Sequence, residues 1–227
     1  MKSPTAVPLD NEFIISFFRL RQALGYIGFL MPLVVKGGAK YIDRLPLLNS
    51  ISASYHTRMR DIFVGTLVSV GVFLFCYRGP DKQDNWLTNI AGLCALGIAL
   101  IATYPAGKAL CPFIAEVLPH HGVYHFAFAV VFFLIISYLA IFRFKKLSRP
   151  YITKQKETRN KVYVICGIIM LLSLVAIALI NLYDKLYHAD TSIALPETIA
   201  IMTFGVAWLT KGQALLADKD TPATTTA

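Results

Sequence analysis

The chain has 227 residues, of which 56% are hydrophobic and 15% are charged, and its mean hydropathy is +0.58. This composition excludes an ordinary soluble domain, in which about 25% of the residues are charged. The net charge of +9 would indicate a nucleic-acid partner in a soluble protein. Here the basic residues lie mostly between apolar segments, where they act as topology signals and contact anionic lipid headgroups. We therefore predict an all-α, multi-pass membrane protein that contacts membrane lipids and no nucleic acid.

The first predicted span follows residues 1–12, which contain two prolines and few apolar residues and are therefore expected to be mobile. The segment from Phe13 to Gln22 has an apolar face interrupted by two arginines, which is typical of an interfacial helix. The span itself is expected from about Gln22 to Val35. Because it is short and contains Pro32, it either kinks or joins the preceding helix into one longer element. No signal-peptide pattern precedes it, so we expect the first span to direct insertion.

Five further apolar segments are bounded by turn or charge signals. Crossing about 30 Å of hydrocarbon takes about 20 mainly apolar residues. The chain is therefore predicted to be one transmembrane domain over 1–227, a bundle of about six helices with a disordered tail over about 212–227. The five spans are expected at about Ile62–Tyr77, Leu87–Tyr104, Val123–Phe142, Val162–Tyr183 and Pro196–Leu209.

The lysines and arginines predict the orientation of these spans. With six spans, the loop at 78–86, the basic block at 143–161 and both termini share one face, which the positive-inside rule assigns to the cytoplasm. The other face holds the loops at 36–61, 105–122 and 184–195, although the first of these carries five basic residues. All five histidines then lie at the non-cytoplasmic ends of spans. The stretch RDIFVGTLVSVGVFLFCYRG resembles small bacterial membrane proteins, so the bacterial inner membrane is the expected compartment.

Two histidine clusters, SASYHTRMRD and HHGVYH, lie on this non-cytoplasmic side. Residues four apart share one face of a helix, as Ser52 and His56 would, and as His121 and His125 would. Three neutral imidazoles around one zinc ion leave the fourth position to a water molecule, whose pKa falls to about 7. The clusters are therefore candidates for a hydrolytic metal site.

Other residues of the first cluster have candidate roles of their own. Asp61 is a candidate to orient or deprotonate the water, and Ser52 to hydrogen-bond the water or a developing oxyanion. Asp61 is equally suited to the first turn of a helix, where the dipole favours an acid. Arg58 and Arg60 are expected to bind a lipid phosphate or carboxylate, or else to contact headgroups or pair with Asp61.

The pattern SASYHTR followed by HGVYH resembles the signature of the CREST superfamily of membrane hydrolases, which includes alkaline ceramidases, progestin and adiponectin receptors and Per-type proteins. The resemblance implies a zinc ion held by His56, His121 and His125, with Ser52 beside it, and hydrolysis of lipid amides or esters. The order of motifs implies a distant, shortened or rearranged relative, because Asp61 follows His56 by only five residues. The alternatives to Asp61 are Asp184, Asp190 and Glu197.

Two classes of function follow from these observations. The first is a zinc-dependent intramembrane hydrolase that acts on a lipid at the outer membrane–water interface. The alternative is a non-enzymatic multi-pass protein, such as a lipid-binding or pH-responsive sensor, a transporter or an assembly partner, whose histidines titrate near pH 6.5. A transporter is expected to have broken helices and charge at mid-membrane, of which this sequence has almost none. The sequence leaves the substrate and the oligomeric state open.

Overall fold

The computed structural model describes residues 11–101, 103, 121–146 and 154–217, apart from the side chains of 11–16 and 121. All regular secondary structure in these ranges is helical, as predicted. A 3-10 turn, Ser52–His56, lies between α1 and α2, and a π-helical turn, Leu139–Arg143, extends α4. The α-helices are α1 (Asn11–Tyr41), α2 (Arg60–Cys76), α3 (Lys82–Leu100), α4 (His121–Tyr138), α5 (Lys154–Tyr187) and α6 (Ala194–Lys211).

Each α-helix contains one of the apolar segments that the sequence indicates, and several continue into polar sequence. The predicted interfacial helix and the predicted first span form one helix, α1, which passes through Pro32 and ends at Tyr41. Helix α5 has 34 residues because the basic residues before Val162 are helical as well. Lysine, arginine and glutamate are good helix formers, so charge alone does not end a helix. The predicted connection at 36–50 is correspondingly shorter than expected.

The six α-helices of the described ranges form a closed ring in chain order. Each helix packs against the next one in the chain, and α6 packs against α1. Consecutive helices run in opposite directions, so that the ring has two ends. We call one the serine end, where Ile193, before α6, donates its N–H to the carbonyl of Asn49. We call the other the basic end, where Arg143, after α4, forms an ion pair with Asp84 at the start of α3.

Glycines bring two pairs of helices into backbone contact. A Cβ atom added to Gly205 of α6 would lie 2.7 Å from the carbonyl oxygen of Gly25 in α1. A Cβ atom added to Gly71 of α2 would lie 3.0 Å from the carbonyl oxygen of Gly92 in α3. Small residues at helix contacts of this kind are typical of membrane bundles, where close packing replaces the hydrophobic driving force.

Two helices of the described ranges are long and apolar enough to cross a membrane. They are Gly122–Arg143 and Lys154–Tyr187, whose apolar 18-residue stretches have mean hydropathies of 2.4 and 2.9. Only 33% of each apolar stretch is buried inside the protein. Large apolar side chains therefore face outwards, as Leu172 and Leu179 do with 62% and 60% of their surface exposed. These outward apolar faces support membrane association.

Candidate functional site

An apolar cavity of about 500 Å³ lies inside the ring and reaches polar side chains at the serine end. Residues of all six α-helices contribute to its wall, which consists mostly of phenylalanine, leucine, isoleucine and valine. A mainly apolar cavity with a few polar groups at one end has the properties of a site for a small molecule with a long apolar part. The polar residues that line the cavity include Ser50, Ser52, Thr103, His125 and Glu197, with Thr66 and Asn181 further along the wall.

Ser52 and His125 form a hydrogen-bonded pair in this polar region. The distance from His125 Nε2 to Ser52 Oγ is 3.1 Å, and the distance from His125 Nδ1 to the Ile101 carbonyl oxygen is 2.6 Å. A carbonyl oxygen only accepts hydrogen bonds, so the Nδ1–H group donates a hydrogen bond to the Ile101 carbonyl. Nε2 is then unprotonated and accepts a hydrogen bond from the Ser52 hydroxyl. His125 is buried, with 4% of its surface exposed. This geometry is that of a nucleophile beside a general base.

The 3-10 turn aims Ser52 at this histidine. Tyr55 is fully buried and fixes the turn in the core. A 3-10 helix has three residues per turn, so Ser52 and His56 do not share a face, in contrast to the spacing that an α-helix would give them. Instead His56 Nε2 lies 3.0 Å from the carbonyl oxygen of Thr103. The shared face that an α-helix would have given Ser52 and His56 therefore does not form.

Glu197, in the first turn of α6, holds the segment that precedes Ser52. Its carboxylate accepts a hydrogen bond of 2.8 Å from the Ser50 hydroxyl and another from the backbone N–H of Ile51. Ser50 Oγ in turn accepts from the backbone N–H of Ser52 at 3.1 Å. Of the carboxylates that the sequence offers, Glu197 is thus the one that the fold connects to Ser52. The sequence signal for it was the proline–glutamate pair at the start of the last apolar segment.

Asp61 lies in the first turn of α2 with its side chain exposed. It forms no hydrogen bond or ion pair within the described ranges, and it lines neither of the two cavities identified there. The other two candidate carboxylates are also away from Ser52, since Asp184 accepts from the Thr191 hydroxyl at 2.6 Å and Asp190 is exposed. The fold therefore brings Glu197 to the pair and leaves Asp61 outside.

The two candidate substrate-binding arginines line a separate, open cavity of about 340 Å³, which also includes His56. The Arg58 side chain is 78% exposed, and its Nε lies 3.4 Å from Asp43 Oδ1. The Arg60 guanidinium lies 5.4 Å from the centroid of the Tyr55 ring. Arg58 is thus at the surface and Arg60 is half-buried, and neither lines the apolar cavity that contains the Ser52–His125 pair.

The predicted zinc ligands are described only in part. His56 and His125 bond carbonyl oxygens two positions apart, those of Thr103 and Ile101, so they converge on one short segment. The Nδ1–H of His125 on a backbone carbonyl is the arrangement that orients a metal-bound imidazole. In the described ranges no group of three His, Cys, Asp or Glu side chains is able to hold a metal ion. The side chain of His121 lies outside them, so zinc stays a prediction and no reaction step is derived through it.

Comparisons with known proteins yield no relative: no protein-family model, no curated protein and no solved structure matches the chain. The resemblance to the CREST superfamily therefore remains an expectation from two short motifs.

Proposed function

We propose that the chain is a multi-pass membrane hydrolase that cleaves a lipid amide or ester, with Ser52 and His125 as the reacting pair. The observation that carries this proposal is the bond from Ser52 Oγ to His125 Nε2 at the polar end of the apolar cavity. The cavity volume of about 500 Å³ is within the range of small-molecule sites. The motif resemblance to lipid amide and ester hydrolases, which the same two residues help to carry, suggests the same substrate class.

The pair supports a two-step reaction. His125 Nε2 takes the proton of the Ser52 hydroxyl while Oγ attacks the lipid carbonyl carbon. The Ile101 carbonyl, which accepts from Nδ1–H, stabilises the resulting imidazolium. His125 then donates the proton to the leaving amine or alcohol, and the acyl group remains esterified to Ser52. Water, deprotonated by His125, attacks that ester, and the fatty acid leaves as Ser52 recovers its proton.

The membrane arrangement that we propose has all six helices crossing the bilayer. It is supported by the closed ring and by outward apolar side chains on the remaining helices, such as Leu33 of α1, Val72 of α2, Leu93 of α3 and Ile199 of α6. The positive-inside rule orients the basic end and both termini to the cytoplasm, in a bacterial inner membrane. The Ser52–His125 pair then lies near the outer interface, where an acyl chain enters the cavity from the lipid.

A serine-reactive fluorophosphonate with a long alkyl chain tests the proposal in purified membranes. We expect covalent labelling of the wild type at Ser52 and none of the Ser52→Ala variant. His125→Gln should slow labelling about a hundredfold or more, because the general base is lost. Ser69→Ala serves as the control, since that hydroxyl is bonded to the Gly65 carbonyl on α2 and should not be labelled. Equal labelling of wild type and Ser52→Ala overturns the proposal.

The cavity also favours a second candidate, a non-enzymatic lipid-binding protein. In that case lipid would copurify with the protein, and the probe would fail to label Ser52. A bulky substitution in the cavity wall, Ala200→Phe, would reduce the amount of bound lipid, because Ala200 lines the cavity and is 1% exposed. The labelling experiment therefore separates the two candidates.

A further inference from the structure

The basic end of the ring gathers four cations from three helices. Lys156 Nζ and Lys211 Nζ both donate to the carbonyl oxygen of Phe144, each at 3.1 Å. The charges of Arg21, Lys156 and Arg159 all act on the ammonium group of Lys211, and the Asp84 carboxylate acts on it with the opposite sign. Two ammonium groups that share one acceptor repel each other, and the repulsion is strongest away from bulk water. Because Asp84 is already ion-paired with Arg143, the cluster keeps an excess of positive charge.

Aromatic rings surround these cations and remove them from water. The Arg21 guanidinium lies 4.1 Å from the centroid of the Phe17 ring and 5.4 Å from that of Tyr77. Lys211 Nζ lies 5.0 Å from the centroid of the Phe144 ring and 5.9 Å from that of Tyr163. Such rings attract a cation but carry no net charge. The Nε atom of Arg21 is buried and has no hydrogen-bond acceptor in the described ranges.

The carboxylates described at this end are bonded to other cations. Asp84 is buried and forms its ion pair with Arg143. Asp81 accepts from Arg143 at 2.6 Å and also pairs with Lys146. Glu157 lies at the surface, with its carboxylate 3.2 Å from Lys161 Nζ. Arg21 and Lys211 are thus two buried or half-buried cations that no described carboxylate contacts directly.

We infer that Arg21 and Lys211 form a binding site for a phosphate group at the basic end of the ring, with Lys156 at its edge. Arginine supplies paired donors that match phosphate oxygens, and lysine adds a point charge. The buried Nε–H of Arg21 has no acceptor in the described ranges, and the Lys211 ammonium, which donates to the Phe144 carbonyl, has further hydrogen atoms for such oxygens. In the proposed topology this end meets the cytoplasmic headgroups, where anionic phospholipids concentrate. A free phosphate ion has the same chemistry.

Thermal unfolding of the full chain in lipid nanodiscs tests this site. We expect phosphatidylglycerol mixed with phosphatidylcholine to raise the midpoint of the wild type by about 2–4 °C or more over phosphatidylcholine alone. Lys211→Met, which keeps the packing on Phe144, should lose this rise, and Arg21→Gln should lose most of it. Lys161→Gln is the control, because its side chain is 71% exposed on the same end of α5, and it should keep the rise.

A second arm in detergent compares sodium phosphate with sodium chloride at equal ionic strength. A rise with inorganic phosphate that Lys211→Met abolishes assigns the site to free phosphate, whereas a rise only in phosphatidylglycerol nanodiscs assigns it to a headgroup. Equal responses of the wild type, Lys211→Met and Arg21→Gln in both arms overturn the site, because the effect would then be general surface electrostatics. Labelling of Ser52 should be unchanged in Lys211→Met, so the two proposals fail or succeed separately.

Discussion

Ser52 and His125 lie 73 positions apart in the chain, yet Oγ of the serine is 3.1 Å from Nε2 of the histidine. Their meeting depends on three elements: the 3-10 turn, the end of α3 and the start of α4. The buried Tyr55 fixes the first element, and the Ile101 carbonyl, directly after α3, fixes the tautomer of the histidine. The chemistry of the pair is therefore a property of the tertiary fold, and residues that hold these elements should affect it without touching a substrate.

Glu197 is the clearest example of such a positioning residue. In Glu197→Ala, Ser50 and the Ile51 N–H lose their acceptor, and an orphaned polar group costs about 1–3 kcal/mol. The segment before Ser52 would then move, and we expect labelling of Ser52 by the lipid fluorophosphonate to slow about tenfold or more. Labelling rates in membranes at fixed probe concentration measure the effect.

Glu197→Gln distinguishes positioning from charge. The amide oxygen still accepts a hydrogen bond, so this variant should recover much of the rate that Glu197→Ala loses. Asp190→Asn is a matched control, because that carboxylate is exposed. If the probe labels Ser52 of Glu197→Ala as fast as Ser52 of the wild type, the Glu197 carboxylate has no role in placing Ser52.

Zinc rests on motif resemblance alone, and it is an alternative to the Ser52–His125 mechanism, because Nε2 of His125 cannot ligate a metal ion and also take the Ser52 proton. The resemblance predicts about one zinc ion per chain, held by His56, His121 and His125, and its loss in His121→Ala and His125→Ala. Metal analysis of protein purified without chelators measures this directly. His188→Ala is the control, since His188 is exposed in the segment after α5. Zinc-free wild-type protein that still labels at Ser52 would refute the metal prediction and leave the Ser52–His125 pair intact.

The helices were predictable because each contains an apolar segment of nearly spanning length. The ends of the helices were less predictable. For example, α5 starts at Lys154 and not at Val162, because the charged residues before Val162 are good helix formers. Pro32 did not end α1, because a proline within a helix removes one backbone hydrogen bond and the neighbouring helices stabilise the rest. Apolar pattern thus predicts which segments are helical and says little about where helices stop.

The site was predictable only in part, for a related reason. Ser52 and His125 were identified from their residue types, whereas the partner of the histidine is the Ile101 backbone carbonyl, which has no sequence signature. Asp61 was favoured by its closeness in sequence to His56, but sequence separation does not measure distance in a ring of helices. Glu197, far along the chain, is brought in by the contact between α6 and α1.

The contact between α1 and α6 closes the ring and should be sensitive to any added side chain. A Cβ on Gly205 would lie 2.5 Å from the backbone nitrogen of Phe29, and backbone atoms of a packed helix cannot move aside individually. Gly205→Val is therefore expected to separate the two helices and to lower the free energy of unfolding by about 1–3 kcal/mol. Because α6 carries Glu197, the same variant should also slow Ser52 labelling.

Gly65→Val is the matched control, since a Cβ at Gly65 of α2 has no atom within 4 Å. Both variants place the same β-branched side chain in a helix interior, so their difference isolates the effect of close packing. Thermal unfolding of the two purified proteins in the same detergent gives the comparison. Equal midpoints would show that α1 and α6 tolerate a wider separation, and the ring closure would then not depend on backbone contact between Gly25 and Gly205.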